Sequence, residues 1–268
     1  MIKRSILFIV LLLPFLHFGQ DFSELWTGYY SYFDVRDVVT ANNKIFAASE
    51  NAVFSYDAQT KEFIEYTTVN GLSGQEISTI HYSQTYELLI VGYVNGLIEI
   101  IFDDGRDVLT VVDIESRTTI NSSNKRINHI TEFQDVVYLS TNFGISVFNL
   151  ERLEFGDTFF IGNAGSQLQV NQTAISNGAI YAATQTGGLR KGNLSNPNLI
   201  DFNNWTTIAT GSFFGIASIE ENLYAFNANR SISSITNDSL TTVSTLGQNP
   251  RDIKVTNTSL VITTRDAV

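Results

Sequence analysis

The stretch Lys44-Ile45-Phe46-Ala47-Ala48-Ser49 is the first of six similar apolar phrases in this chain of 268 residues. The five later phrases begin at Leu88, Val136, Ala179, Asn222 and Ser259. Between the second residues of successive phrases, the steps are 44, 48, 43, 43 and 37 residues. A period of about 40 to 50 residues, filled by short strands and turns, is typical of a β-propeller.

The first repeat unit divides into four short strands joined by turns rich in Asn and Asp. We predict these strands at Val35–Ala41, Lys44–Ser49, Ala52–Asp57 and Glu62–Thr67. Their apolar, β-branched and aromatic residues suit a pleated surface, and four antiparallel strands with short connections make one propeller blade. The fold class that we predict is therefore all-β, a β-propeller of four-stranded antiparallel blades.

Later units repeat this order with recognisable turns. The second unit is expected to begin at Glu76 and to end with a strand from Val108 to Ile114; the third, fourth and fifth units run to about Ile161, Thr210 and Leu246. The sixth, from Pro250 to Val268, has room for two strands. We interpret the chain as five blades and part of a sixth from a seven-bladed ring. Leu25–Tyr32 resembles an orphan outer strand of a last blade.

The N-terminus has the three-part layout of a secretory signal peptide. A basic start, Met1–Arg4, precedes an apolar run from Ile6 to Leu16 and a more polar exit at His17–Gln20. The apolar run is short for a bilayer span, which needs about 20 residues, although an uncleaved anchor is the alternative. We expect residues 1–20 to be a signal peptide and residues 21–268 to be a truncated N-terminal propeller domain without a transmembrane span.

Composition restricts the possible partners and chemistry. The chain has 27 acidic and 16 basic residues, a net charge of −11. Such a surface repels phosphate backbones, so we expect no nucleic acid partner. The chain has no cysteine, which rules out disulfides, thiolate chemistry and a Cys-linked lipid anchor.

No catalytic motif is evident. The histidines His17, His81 and His129 are scattered, and for the last two a structural or channel-lining role is favoured over metal binding. The loop Asp103–Asp107 could be a calcium loop, but an acidic hairpin tip is the favoured interpretation. We predict that the protein is not an enzyme and has no cofactor or metal. A carboxylate pair converging on the channel mouth would favour a glycosidase instead.

A candidate binding face follows from blade connectivity. In a blade of this order, the loop between the second and third strands opens on the same side as the connection between blades. Amides on that side offer donors and acceptors to sugar hydroxyls or peptide backbone. Tight turns also require such residues, and turn chemistry is the favoured alternative. The candidate ligand-binding residues are Asn51, Asn70, Gln75, Asn95, Asn142, Gln185 and Asn227.

Two motifs carry a resemblance to known repeats. Asn70-Gly71-Leu72-Ser73 and, further on, Leu89–Leu97 resemble the propeller repeat of two-component regulators, with Leu89 and Tyr93 at positions usually held by Trp and Thr. The aromatic opening Trp26–Phe33, followed directly by Asp34–Val38, is similar to the N-terminal β-propeller of the PorZ family of Bacteroidota.

The second resemblance implies a function as well as a fold. Members of the PorZ family are exported surface components of the type IX secretion system. They act with PorU, PorV and PorQ in an attachment complex, where binding of anionic lipopolysaccharide is the expected role. The resemblance implies an exported scaffold protein, in the periplasm or on the outer-membrane surface. The alternative is the periplasmic sensor of a hybrid two-component regulator that binds oligosaccharide.

Overall fold

The computed structural model describes residues 34–41, 43–256 and 259–264. Their strands form five four-stranded antiparallel sheets and one two-stranded sheet. Each four-stranded sheet uses strands that are consecutive in the chain and paired with their neighbours in sequence, as in a propeller blade. The predicted all-β propeller architecture, with five blades and part of a sixth, is confirmed.

The strands follow the blades in order. Blade 1 comprises β1 (Asp37–Ala41), β2 (Lys44–Ala48), β3 (Val53–Asp57) and β4 (Phe63–Tyr66), and blade 2 comprises β5 (Ile77–Ser83), β6 (Leu88–Tyr93), β7 (Ile98–Phe102) and β8 (Leu109–Val111). Blade 3 comprises β9 (Ile127–Phe133), β10 (Val136–Thr141), β11 (Ile145–Asn149) and β12 (Glu154–Phe159). Blade 4 comprises β13 (Val170–Ser176), β14 (Ala179–Thr184), β15 (Leu189–Asn193) and β16 (Trp205–Ala209). Blade 5 comprises β17 (Phe213–Ile219), β18 (Asn222–Asn227), β19 (Ser231–Thr236) and β20 (Ser239–Thr245), and the sixth sheet comprises β21 (Asp252–Val255) and β22 (Leu260–Thr263).

The core consists of apolar layers between successive blades. Side chains alternate between the two faces of a strand, so adjacent residues of each recurring phrase point to different neighbours. In blade 2, Leu89 packs with Phe46 of blade 1, whereas Ile90 packs with Val137 of blade 3. Because both faces are covered, a second strand such as Leu88–Tyr93 is buried along its whole length. The phrase is apolar at successive positions for this reason.

The short helices lie in connections. One helical turn, α1 (Asp113–Ser116), follows β8, and 3-10 turns lie at Thr68–Asn70, Ser122–Asn124, Asn163–Gly165 and Phe202–Asn204. The predicted strand from Val108 to Ile114 was therefore too long at both ends. It ends at Val111, because Ile114 turns inward on α1 and is fully buried between blades 2 and 3. Within the described ranges, no helix is long and apolar enough to cross a membrane.

Candidate functional site: the channel and its rim

The first strands of the blades bring polar side chains together around a central cavity of about 380 Å³. This channel cavity is lined by residues of β5, β9, β13, β17 and β21, which are far apart in the chain. Apolar side chains such as Ile216 and Val255 form part of its wall. Its polar lining includes His81, His129, Thr131, Glu132, Gln172, Thr173, Ser218, Glu221 and Lys254.

Glu132 joins blades 2 and 3 at the cavity wall. One of its carboxylate oxygens lies 2.8 Å from Nε2 of His81, and the other accepts a hydrogen bond of 2.8 Å from the Ser83 hydroxyl. A second cavity carboxylate, Glu221, accepts from the backbone N–H of Asn177 at 2.7 Å. Both carboxylates thus hold neighbouring blades together.

His129 lies half-buried at the wall of the same cavity. Its Nδ1 lies 3.2 Å from the Thr131 hydroxyl and its Nε2 lies 3.2 Å from the amide nitrogen of Gln172. Burial, with smaller contributions from the charges of Lys254 and His81, lowers the pKa of His129 to about 3. The neutral imidazole therefore acts as a hydrogen-bonding group on the channel wall at physiological pH.

This histidine should make stability depend on pH. An unfolded histidine titrates near 6.5, so between pH 6.5 and 3 the unfolded chain binds a proton that the folded chain does not. The contribution of neutral His129 to the free energy of unfolding is fully present above about pH 6.5. Below that pH it falls by at most about 1.4 kcal/mol per pH unit. We expect acidification from pH 7 to pH 5 to cost up to about 2 kcal/mol.

Urea unfolding of the wild type and His129→Gln at both pH values tests this expectation, because glutamine keeps polar groups but does not titrate. The variant should lose less stability on acidification than the wild type. Identical losses in the two proteins would contradict the assignment to His129.

Asp37 connects three inner strands beside the channel. Its buried carboxylate accepts hydrogen bonds of 2.9 Å from the Thr79 hydroxyl and from the N–H of Ile80, both on β5. It also pairs with the ammonium of Lys254 on β21 at 2.5 Å. No local sequence pattern marks this residue as a contact point, because its partners are far from it in the chain. Strands from blade 1, blade 2 and the sixth sheet meet at this carboxylate.

The rim carries the seven amide residues chosen from the sequence. Backbone hydrogen bonds join the loop after the second strand to the residue before the first strand, as from Val94 N to Glu76 O at 2.9 Å and from Gln185 N to Gln169 O at 3.1 Å. The loops between second and third strands therefore lie on the same side as the connections between blades. This is the arrangement from which the candidate face was inferred.

Two of these residues hold an asparagine of their own blade that bridges to the next blade. Asn142 accepts a hydrogen bond of 2.9 Å from Asn128, whose amide also donates to the carbonyl of Val170 in the next blade. Gln185 accepts a hydrogen bond of 3.1 Å from Asn171, whose amide also donates to the carbonyl of Phe213 in the next blade. These side chains have a structural role that repeats from blade 3 to blade 4.

Three more candidates stabilise their own turns. Asn95 accepts from the N–H of Leu97 at 3.1 Å, and Asn227 accepts from that of Asn229 at 3.0 Å. Asn70 accepts from Thr67 N in a capping box at the Thr68–Asn70 turn. These contacts support turn chemistry, the alternative reading of the amides.

The structure brings two candidates together in a surface hollow. Gln75 and Asn95 line a cavity of about 360 Å³ with Glu76, Ser122 and Ser123, between blades 2 and 3. Gln75 is exposed. Asn51 is exposed in a different turn, in blade 1. This hollow between blades 2 and 3 brings amide and hydroxyl side chains together on the predicted face.

The acidic loop after β7 behaves as a hairpin tip. Asp103 accepts from the hydroxyl of Tyr82 at 2.8 Å, and Asp104 pairs with the Arg106 guanidinium at 2.9 Å. Among the described residues, no group of three or more acidic or histidine side chains is placed to hold a metal ion.

Consecutive four-stranded blades whose first strands line one channel define this protein as a β-propeller domain. A family model described as the N-terminal β-propeller domain of PorZ, of the type IX secretion system, matches residues 45–206. The chain belongs to this family. A comparison with curated proteins finds no match.

Solved structures show the same fold. PorZ of Porphyromonas gingivalis, described as an essential bacterial surface component of the type IX secretion system, has a TM-score of 0.75 at 22% identity. The match covers 88% of this chain and 31% of that one, so the chain spans about a third of the PorZ chain that it matches. The extracellular domain of BT4673 from B. thetaiotaomicron, a putative hybrid two-component system, has a TM-score of 0.55 at 17% identity over 72% of this chain and 26% of its own. Below 25% identity, these similarities show the fold alone.

Proposed function

We propose that this propeller is a non-enzymatic binding and scaffold module of the type IX secretion attachment complex at the cell surface. The observation that carries the proposal is the match of the PorZ propeller family to residues 45–206. The surface location described for the P. gingivalis protein and the signal-peptide pattern at residues 1–20 support export. The proposed partners are PorU, PorV and PorQ, and the proposed ligand is anionic lipopolysaccharide.

The hollow at Gln75 and Asn95 is the proposed ligand contact. Its amide and hydroxyl groups suit sugar hydroxyls, since they both donate and accept hydrogen bonds. The net charge of −11 repels an anionic ligand at long range. Recognition of the sugar by polar groups should therefore persist at high salt, because screening weakens the repulsion between like charges.

Binding to immobilised anionic lipopolysaccharide, measured by surface plasmon resonance, tests this contact. We expect Gln75→Ala to weaken binding about five- to tenfold, since a lost hydrogen bond is worth about 1 kcal/mol. Asn51→Ala is the matched control, because Asn51 is an exposed amide outside the hollow. Equal affinity of the wild type and Gln75→Ala would rule out the hollow as the ligand contact.

The scaffold role has a separate test. Purified chain should retain PorU, PorV or PorQ in a pull-down, whether or not Gln75 is intact. If it retains none of them but binds neutral oligosaccharides, the sensor alternative is favoured. The fold similarity to the BT4673 extracellular domain is the observation behind that alternative.

A further inference from the structure

A groove of about 410 Å³ lies between the outer parts of blades 3 and 4. One wall belongs to the connection between β15 and β16, residues 194–204, which is longer than the corresponding connections of two to six residues in the other four-stranded blades. On the opposite wall, the register of β11 and β12 shifts at Val147, so that Gly156 and Asp157 both lie opposite it. We call this space the blade 3–4 groove.

The hydroxyl of one tyrosine, Tyr138, opens into this groove. Tyr138 is 8% exposed and lines the groove, and no group among the described residues hydrogen-bonds its hydroxyl. Burial raises the pKa of Tyr138, and no hydrogen bond contributes to the change. Every fully buried side-chain polar atom in the described ranges has a partner, so this hydroxyl is accessible from the groove. It has a hydrogen bond to offer to a ligand.

The equivalent tyrosine of the next blade shows which group such a position accepts. Tyr181 is, like Tyr138, the third residue of its phrase, and each packs in the apolar layer towards the following blade. Opposite Tyr181 in the register is Lys191, whose ammonium lies 5.5 Å from the centre of the Tyr181 ring and 2.7 Å from the carboxylate of Asp238. The hydrogen bond to Asp238 raises the pKa of Lys191 most, and Tyr181 raises it further. Tyrosine, ammonium and carboxylate thus connect blades 4 and 5.

In blade 3, a valine stands where blade 4 has its lysine. Val147 lies opposite Tyr138, at the register position that Lys191 holds opposite Tyr181. The carboxylate of Asp157 lines the groove, is exposed, and belongs to no ion pair among the described residues. The groove therefore offers a phenol oxygen and a negative charge beside apolar side chains.

We propose that the blade 3–4 groove binds an alkylammonium group, which supplies from outside the ammonium that Lys191 supplies in blade 4. The aliphatic stem lies on Val147 and Leu194, and the ammonium donates to the Tyr138 oxygen and the Asp157 carboxylate. The net charge of −11 attracts cations to the protein. A lysine side chain of a partner protein and a free alkylamine share this chemistry. The site is separate from the proposed ligand contact in the hollow between blades 2 and 3.

Ligand-observed NMR titrations with Nα-acetyl-lysine N-methylamide test this proposal. We expect saturable binding with a Kd of about 1 to 10 mM, because the probe makes few contacts. Acetylation of its Nε atom should abolish binding, since it removes the positive charge. A parallel titration with 1,5-diaminopentane separates the two sources of the group. Tighter binding of the blocked lysine assigns the groove to a protein side chain, and tighter binding of the diamine assigns it to a free amine.

Variants of the groove locate the binding. We expect Tyr138→Phe to weaken it about fivefold, as for one lost hydrogen bond, and Asp157→Asn about threefold, as for an exposed ion pair. Val147→Lys should weaken it at least about tenfold, because the new side chain takes the place of the ligand, as Lys191 does in blade 4. Tyr181→Phe is the matched control and should bind like the wild type, since Lys191 already lies beside that tyrosine.

Three results would overturn the proposal. The first is the absence of saturable binding of either amine below about 50 mM, which is well above the expected Kd. The second is equal affinity of the wild type, Tyr138→Phe and Asp157→Asn. The third is undiminished binding of the Nε-acetylated probe. Asp157→Asn changes an exposed side chain, so it keeps the test decisive even if Val147→Lys fails to fold, which thermal unfolding of each variant shows.

Discussion

Gly188→Ala is expected to destabilise the propeller by at least about 3 kcal/mol. Gly188 has a φ of +80°, which costs other residues about 1 to 2 kcal/mol. A Cβ placed there would lie 2.0 Å from the carbonyl oxygen of Ala209. The N–H of Gly188 donates to the carbonyl of Gly211 at 3.0 Å, and the Gly188 carbonyl accepts from the N–H of Thr184 at 3.1 Å and from the Thr184 hydroxyl at 2.7 Å. Relief of the overlap would therefore disturb the pairing of β15 with β16.

A second glycine separates the two causes of this loss of stability, which are the backbone conformation and the overlap of the added Cβ with Ala209. Gly105 has nearly the same φ, +79°, and a Cβ there meets nothing within 4 Å. We expect Gly105→Ala to cost about 1 kcal/mol, the conformational part alone. Guanidinium unfolding of both variants gives the comparison. If the two variants lose the same stability, the close approach of Gly188 to Ala209 does not limit substitution.

Glu99→Ala is expected to cost about 3 to 5 kcal/mol, because it removes a fully buried carboxylate that serves as a common acceptor. The carboxylate accepts from the Ser73 N–H at 2.9 Å and from the Tyr93 hydroxyl. Burial, and then the hydrogen bond to Glu99, raise the pKa of Tyr93 far above its usual range, so its hydroxyl stays protonated and donates. The variant leaves these donors without their acceptor inside the layer between blades 1 and 2.

Thermal unfolding of Glu99→Ala beside Glu154→Ala checks this prediction, since Glu154 forms an exposed pair with Arg152. We expect the control to change stability by less than about 0.5 kcal/mol. A double-mutant cycle with Tyr93→Phe should show coupling, because the two side chains share one hydrogen bond. Additive effects of the two substitutions would show that this bond contributes nothing to stability.

The acidic loop shows which features of this protein could be predicted from nearby residues in the sequence. Asp103–Asp107 has the composition of both a cation loop and a hairpin tip, and local reading favoured the tip. The choice depended on Tyr82 and Arg106, whose contacts with Asp103 and Asp104 occupy these carboxylates. The same limit applied to the amides. Asn142 follows a second strand and Gln75 precedes a first strand, but only the structure shows that Asn142 accepts a hydrogen bond from Asn128 and that Gln75 lines a hollow.

The sequence by itself determined the blades. The second strand of each blade is buried between two neighbouring blades, so it must be apolar along its length, and this pattern can be read from a few consecutive residues. It therefore predicted the five complete sheets and the two strands of the sixth. The tertiary structure alone decided the channel and the blade contacts. His81 and Glu132 are 51 residues apart, and Asp37 meets Lys254 from the other end of the described chain. A local pattern carries no information on such pairs, since packing of the blades around one axis creates the contacts.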